Sequence, residues 1–560
     1  IVKIINPRFP KDGWTSHHSV LMIVTDDMPF LVDSITGGLT STLRSRIHMM
    51  HHPILSTMRD KKGARIKVGT PGDELSESFM FIEIDTVSEK GQLKEYQDVI
   101  ASILGDVRGG VSDWRGMLAK IDETVASLTV NPPPIDNEDV DEAIRFLRWL
   151  GADHFTFLGF REYRFDSSKK TFKFSQVEGS GLGILRDADR NVLRNRDGLT
   201  PMSDEIQHFL VQPEPVIITK ANVKSTVHRV SHLDYIGVKI FDADGKAIGE
   251  RRFVGLFTSL SYSQFAHDVP LLRKKVANIQ TRSGFAEKSH AGKAIAHIME
   301  TFPRDELFQI AEDNLFETAM GILQLTERPR PRAFIRRDKF ERFVSALVYV
   351  PRENYNSSLR SAAARILCDA FNGEVSVYYA MLSEESLARW HFIIRTKPGQ
   401  VPNVDEGDIN QQIAEAAQGW SDRLHFDLIS RYGEEHGNQL NHAYRGRFSV
   451  AYRAAFTPAQ AAYDIAKLEE LAGADDLRVD FYHHLGDGDN RYRLKIHHGC
   501  RLVPLSSCMP VLENMGFRVL SEHSYKVRSE NPSYIHDFAL ELEVGCSFVM
   551  VRTKPVIDAL

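Results

Sequence analysis

One arrangement recurs three times along these 560 residues: an apolar strand, a short turn, a helix and two further strands, closed in the first two copies by a second helix. In the first copy residues 19–25 are an apolar run of strand length and Asp26-Asp27-Met28-Pro29 make the turn. Phe30, Leu31, Ile35, Leu39 and Leu43 then recur at helical spacing. Strands are expected over residues 47–58 and 79–84, followed by a helix whose stripe is Tyr96, Val99, Ile100, Ile103, Leu104 and Val107. The second copy has a strand over 343–350, a turn over 351–356, a helix over 357–371, strands over 375–380 and 390–395, and a helix from 408 to about 429. The third runs through a strand at 492–496, a helix from about 503 to 515, and strands at 519–527 and 538–542. Such βαββ units give an α+β, multidomain fold class.

Between the copies the pattern changes. Asn131-Pro132-Pro133-Pro134 is a linker, because consecutive prolines continue neither a helix nor a central strand. An amphipathic helix over 136–150, a strand over 155–165, a hairpin at 241–246 and a strand at 252–257 then predict a mainly antiparallel domain. Helical periodicity returns over 271–325, and Glu327-Arg328-Pro329-Arg330-Pro331-Arg332 ends it as a solvated, Pro-spaced linker. The expected domains are 15–130, 136–265, a helical connector at 266–330, 338–435, and 440–560 with a preceding segment.

With 42% hydrophobic residues each domain has enough apolar side chains for a core. A net charge of -6 without a long Lys/Arg run excludes a polyanion footprint, so nucleic acid is not an expected partner. Four cysteines, in no CxxC pair, are too sparse to staple the chain and fit a reducing, cytoplasmic setting. No apolar run approaches the roughly 20 residues of a bilayer span, so no membrane is expected. The chain starts without Met and stops after strand-like residues, which reads as two cuts in a longer chain.

A βαββαβ unit with an acidic, proline-containing turn after its first strand resembles the ACT domain, a ferredoxin-like fold that binds amino acids in metabolic regulators. Asp27-Met28-Pro29-Phe30-Leu31 is similar to that family's Asp-x-Pro-Gly-Leu turn, with Phe30 where glycine is expected. Longer strings are more specific. Phe146-Leu147-Arg148-Trp149-Leu150, His154-Phe155-Thr156-Phe157-Leu158-Gly159-Phe160-Arg161 and Phe253-Val254-Gly255-Leu256-Phe257-Thr258-Ser259 come first. Phe302-Pro303-Arg304-Asp305-Glu306-Leu307-Phe308-Gln309, Glu327-Arg328-Pro329-Arg330 and Val348-Tyr349-Val350-Pro351-Arg352 follow in order. Together they resemble the N-terminal half of the large-subunit NAD-specific glutamate dehydrogenases of bacteria. The resemblance implies three ACT-like domains, a PAS-like domain over 136–265, assembly into homotetramers, and NAD as cofactor of the parent enzyme but not of this segment. It further implies partnership with a C-terminal catalytic region and with other subunits, and an amino-acid effector whose contacts in the first copy would be Asp27, Pro29 and Asp33. Turn formation and helix capping are the favoured explanation of those three residues.

Hydride-transfer machinery is not expected within these residues. Gly179-Ser180-Gly181-Leu182-Gly183-Ile184 has its third glycine one position early for a dinucleotide fingerprint, and a turn is the better reading. Histidines cluster at His17-His18, at His48 with His51 and His52, at His483-His484 and at His497-His498, but adjacent residues on a strand point to opposite faces, so no metal site is expected. His267-Asp268 and His536-Asp537 lack the further ligands of a metal phosphohydrolase. Cys500 and Cys508 read as small core residues. In Phe302-Pro303-Arg304-Asp305-Glu306, proline near the first helical position and acids in the first turn have a structural explanation. The expectation is a non-catalytic regulatory and oligomerisation segment. The alternatives are a scaffold of ACT-like modules without a small ligand, and a stand-alone amino-acid sensor.

Overall fold

The apolar run at residues 19–25 buries Leu21 and Ile23, and its strand lies inside the first sheet of the computed structural model. The structure describes the chain except residues 62, 69–74, 167–172, 191–211, 383–385, 398, 472, 474–475, 483–489, 500–501, 528–531 and 543–560. His483, His484, Cys500 and Cys546 therefore lie outside the described residues. Two compact units divide the chain: 1–330 with 334–349 and 367–404, and 331–333 with 350–366 and 405–560.

In the first unit, β1 (Val2–Ile5), β2 (Ser19–Asp26), β3 (Ile47–His51), β4 (Ile54–Arg59), β5 (Arg65–Val68) and β6 (Leu75–Ile84) form an antiparallel sheet ordered β1-β2-β6-β4-β5, with β3 also on β6. The single strand expected over 47–58 is thus two, broken at His52 and Pro53. Helix α1 (Leu31–Gly37) and α2 (Lys90–Val130) cover this sheet. Leu31, Ile35, Ile100, Ile103, Leu104 and Val107 join Leu21, Ile23, Met80 and Ile82 in one core.

Helix α2 runs well beyond the stripe that announces it, to 41 residues or about 60 Å. Its second half buries Met117, Ile121, Val125 and Leu128 in the core of the next domain, beside Phe146, Phe160 and Phe253. That domain opens with α3 (Asn137–Trp149), capped by the Asp136 carboxylate accepting from the Glu138 N–H. Its antiparallel sheet contains β7 (Phe155–Asp166), β8 (Lys173–Gln176), β9 (Leu182–Gly183), β10 (Val216–Lys224), β11 (His232–Phe241) and β12 (Ala247–Phe257), ordered β10-β11-β12-β7-β8 with β9 on β7. The predicted hairpin is the β11–β12 connection, where Gly245 has φ +77°.

Helices α4 (Leu272–Ser283), α5 (His290–Thr301), α6 (Arg304–Gln309) and α7 (Glu312–Glu327) follow and bury Val276, Ile279, Ile295, Met299, Leu307 and Leu315 in the same core. Next, β13 (Arg332–Arg337), β14 (Phe343–Pro351), β15 (Glu374–Leu382) and β16 (Leu387–Arg395) make a sheet ordered β13-β14-β16-β15, with α8 (Ser357–Phe371) between β14 and β15. The Pro-spaced arginine segment is shorter than its charge pattern implies, because Arg332 already belongs to β13.

The second unit contains α9 (Glu406–Ala417) and α10 (Trp420–Tyr432), one helix by periodicity but two in fact. The break falls at Gly419, whose N–H donates to Asp422 three residues on. Helices α11 (Glu434–Tyr444), α12 (Val450–Ala455) and α13 (Pro458–Glu469) follow. The last sheet, ordered β17-β18-β20-β19, has β17 (Leu477–Tyr482), β18 (Arg491–Gly499), β19 (Phe517–Val527) and β20 (Ser533–Leu542), with α14 (Leu505–Asn514) between β18 and β19. The architecture is α+β with several antiparallel sheets. Among the described residues no helix is long and apolar enough to cross a membrane.

Candidate functional site

Asp27 and Pro29 are on the turn after β2 and Asp33 is in the first turn of α1, and all three are exposed. Phe30, in the position of the expected glycine, has φ +72°, the left-handed conformation that glycine adopts without steric cost. Its ring packs on His228 with centroids 5.0 Å apart. The segment carrying His228 lies over the turn: its N–H donates to Ser34 Oγ at 2.9 Å, and its Nδ1 is 3.1 Å from the Asp33 carboxylate. Asp27 has its backbone N–H on the Ser76 carbonyl. Structural roles thus engage parts of this turn while leaving the side chains of Asp27 and Pro29 open to solvent.

A larger concavity, about 1100 Å³, lies elsewhere in the first unit. Residues of β10 and β11, including Lys220, Lys224 and His232, form one wall, and Ser376, Val377, Tyr379, His391 and Ile393 of the third sheet form the opposite one. Alternation along β16 puts Trp390 and Phe392 on one face and His391, Ile393 and Arg395 on the other, so the second set turns to the cavity. Helix α6 contributes Asp305, Glu306 and Gln309, which brings the recognisable Phe302-Pro303-Arg304-Asp305-Glu306 string to the cavity wall. Pro303 caps that helix and the acids occupy its first turn, as the sequence predicts.

Buried charges organise this wall. Glu306 Oε2 and Oε1 accept from Arg336 Nε and Nη2 at 2.7 and 2.8 Å, and His391 Nε2 lies 3.6 Å from Oε1. Burial alone would raise the Glu306 carboxyl, but Arg336 and His391 hold it well below the usual carboxylate range. His391 Nε2 also meets Ser345 Oγ at 2.8 Å. Asp338 takes Arg342 Nε at 2.7 Å and Nη2 at 3.0 Å, and Nη2 also donates to Thr219 Oγ1 at 2.7 Å. Lys220 Nζ bridges Asp234 at 2.6 Å and Asp305 at 3.0 Å. Burial pushes the Asp234 carboxyl up to about 6, with Lys220 opposing and Asp305 adding to the rise.

None of Arg336, Asp338 and Arg342 is singled out by the sequence alone. The available signal was a charged run, Arg336-Arg337-Asp338, leading directly into the apolar strand β14. Cys368 also lines the cavity, but burial raises its thiol and disfavours the nucleophilic thiolate.

The Gly179–Gly183 segment is a packing device. Gly183 has φ +60°, and a Cβ there would lie 2.1 Å from the Leu158 carbonyl oxygen. Its N–H donates to Asp113 of α2 at 2.7 Å, and Arg186 pairs with the same carboxylate. Several described histidines of the paired motifs have other partners: His18 stacks on His48, His52 meets Ser78, His497 meets Asp464, and His498 meets the Gly499 carbonyl. His267 pairs with Glu300 and His536 with Glu522. Among the described residues no group of three or more His, Cys, Asp or Glu is arranged to hold a metal. Cys508 is buried in α14, which raises its thiol.

Comparison with known proteins gives these elements family names. Residues 1–100, 332–421 and 476–551 match the glutamate dehydrogenase ACT1, ACT2 and ACT3 domains. Residues 269–328 and 427–471 match helical motifs 1 and 2 of the same enzymes. The cavity therefore joins helical motif 1 and ACT2 to strands outside any of the matched segments. An NAD-specific glutamate dehydrogenase of Halomonas elongata is 35% identical over 100% of this chain and 35% of its own length. That of Pseudomonas aeruginosa is 34% identical over 100% of this chain and 34% of its own, and that of Mycobacterium tuberculosis 27% over 93% and 32%. The chain spans about a third of the length of these curated relatives. With three ACT domains, two helical motifs and similarity along its whole length, the chain belongs to the NAD-specific glutamate dehydrogenase family.

Proposed function

We propose that this chain is a regulatory and assembly segment of an NAD-dependent glutamate dehydrogenase. The parent enzyme converts L-glutamate, NAD and water to 2-oxoglutarate, ammonium and NADH, with NAD and the catalytic residues held outside this segment. The observation that carries the reading is the cavity shared by helical motif 1, ACT2 and the antiparallel sheet. A ligand there contacts three elements at once and so stabilises one arrangement of them over others, which is what an effector must do.

The finer expectations belong to the same proposal. The antiparallel domain over 136–265 is PAS-like, the subunits form a homotetramer, and the enzyme works in the cytoplasm. The partners are the catalytic region and neighbouring subunits, and an amino acid acts as effector, with Asp27, Pro29 and Asp33 as a further contact set. Their exposure supports access to that turn.

The test has two measurements. Amino acids titrated against the chain should raise its melting temperature, since a ligand of the native state stabilises it. In the complete parent enzyme, the same compounds should change the rate of NADH formation, and Val377→Trp, which fills the cavity, should blunt that response while leaving basal turnover intact. No melting shift with any amino acid, together with an unaltered rate, would favour a purely structural scaffold of ACT modules.

A further inference from the structure

We propose that the cavity of the first unit binds a small organic carboxylate, whose carboxylate group accepts a hydrogen bond from Nη1 of Arg342. This names a ligand class for the pocket assigned above to an effector and rests on that reading for its physiological role alone.

Arg342 is held as a fixed donor. Its side chain is 5% exposed, and Nε and Nη2 are taken up by Asp338 and Thr219. The rings of Phe340 and Phe343 lie 4.8 and 5.7 Å from its guanidinium carbon. Nη1 is buried without a hydrogen-bond partner, although Arg342 lines the cavity. A buried, rigid guanidinium N–H with no acceptor is uncommon, and an anion entering the cavity supplies one.

The surroundings favour an anion at this end. Burial, and then the charges of Lys224, Lys220 and Arg342, keep the His232 imidazole low, so cations converge around it. Nδ1 of His232 is 3.0 Å from the Ala221 carbonyl and must carry the proton there; Nε2 faces Ser376 Oγ at 3.2 Å as an acceptor. The ring is thus a neutral neighbour of the anion position.

The rest of the lining limits which anion. Asp305, Glu306, Asp369 and Glu374 border the same cavity, and they repel a polyphosphate more than a single carboxylate. The volume of about 1100 Å³ exceeds what a bare ion fills, and Ala221, Val223, Val377 and Ile393 offer apolar surface to an organic body.

The experiment uses ligand-observed saturation-transfer NMR on the full chain with acetate, butyrate and benzoate. Benzamide serves as the uncharged isostere, and inorganic phosphate and tripolyphosphate as competitors. Benzoate or butyrate should bind and benzamide should not, with little displacement by tripolyphosphate. Arg342→Lys keeps the charge beside Asp338 but removes the Nη1 donor, and should weaken carboxylate binding about tenfold. Val377→Trp should abolish it without touching any charge, and Lys246→Gln, at an exposed cation of the β11–β12 turn outside the cavity lining, should leave it intact. Circular dichroism checks each fold, and if Arg342→Lys does not fold, Val377→Trp decides. Equal binding of benzamide, preference for phosphate or tripolyphosphate, undiminished binding in Val377→Trp, or no carboxylate binding to the wild-type chain overturns the proposal. None of these readouts involves turnover. Carboxylate binding at this site with no effect on the parent enzyme's rate would sink the regulatory reading and leave this one standing.

Discussion

Glu306 and Arg336 meet as a two-pronged ion pair, Nε at 2.7 Å from one carboxylate oxygen and Nη2 at 2.8 Å from the other, with 3% and 9% of the side chains exposed. The pair links α6 of helical motif 1 to β13 of ACT2. It also gives the cavity wall a fixed position.

Removing one partner leaves a buried charge uncompensated. Arg336→Met should therefore cost about 3–5 kcal/mol in urea unfolding, whereas Glu306→Leu with Arg336→Met should recover most of the loss. The pH dependence follows from the sign of the shift. Glu306 is held below its unfolded value of about 4.3, so the pair's stabilisation is present above that pH and is lost as pH falls through the lower folded value. Wild type should lose stability on acidification below about pH 5, and Glu306→Gln should show a shallower acid limb. Equal acid slopes would exclude a contribution from this carboxylate.

Phe30 combines a backbone conformation suited to glycine with a ring that packs on His228. Phe30→Ala discards the ring and keeps the strained φ; Phe30→Gly discards the ring but relieves the strain. The glycine variant should consequently be more stable than the alanine variant by about 1 kcal/mol, and both less stable than wild type. Thermal melts of the three proteins check the order, and alanine at or above glycine would show that the left-handed conformation stores no strain.

The elements announced by uninterrupted periodicity were legible in the sequence, among them β2, α1, β14, α8 and β20. Those set by tertiary pairing were not. Val2–Ile5 and Leu477–Tyr482 are short strands whose register is fixed by β2 and β18, and neither is long enough to announce itself by periodicity. Helix α2 could be followed only to Val107 because Gly109, Gly110, Ser112 and Asp113 interrupt the stripe, and the apolar set resumes at Met117 facing a different core. The turn at Asp27, Pro29 and Asp33 was legible as a motif; the cavity was not. Its charged lining depends on Arg336, Asp338 and Arg342 finding partners up to 123 residues away in sequence.

The glycines of residues 179–183 should divide sharply on substitution. A Cβ at Gly183 meets a backbone oxygen at 2.1 Å, which no side-chain rotation can relieve, whereas one at Gly179 meets open space. Both have positive φ. Gly179→Ala should cost about 1 kcal/mol from backbone conformation alone, and Gly183→Ala more than about 3 kcal/mol, as the loop is forced off β7. Similar losses at the two positions, measured by urea unfolding, would count against the packing role.

In the second unit Asp464 on α13 gathers Tyr452, Lys495 and His497: the Tyr452 hydroxyl donates to it, Lys495 Nζ is 2.6 Å away and His497 Nε2 3.0 Å. The carboxylate is 1% exposed, and Lys495 Nζ also lies 3.6 Å from the centre of the Phe456 ring. Burial alone would raise the Asp464 carboxyl, but His497 and Lys495 lower it. Its stabilisation is accordingly present above the unfolded value of about 3.9 and fades as pH falls through the depressed folded value. Asp464→Asn keeps the shape but deprives Lys495 of its counter-charge, so it should cost about 3 kcal/mol or more at neutral pH. Adding Lys495→Met should restore part of that loss, because the uncompensated ammonium is then gone. Hydrogen exchange in β18, which carries both Lys495 and His497, gives the local readout: amides there should exchange faster in the single variant and slow again in the double. If the double variant is no more protected than Asp464→Asn, the loss lies in the Tyr452 and His497 hydrogen bonds rather than in the charge pair.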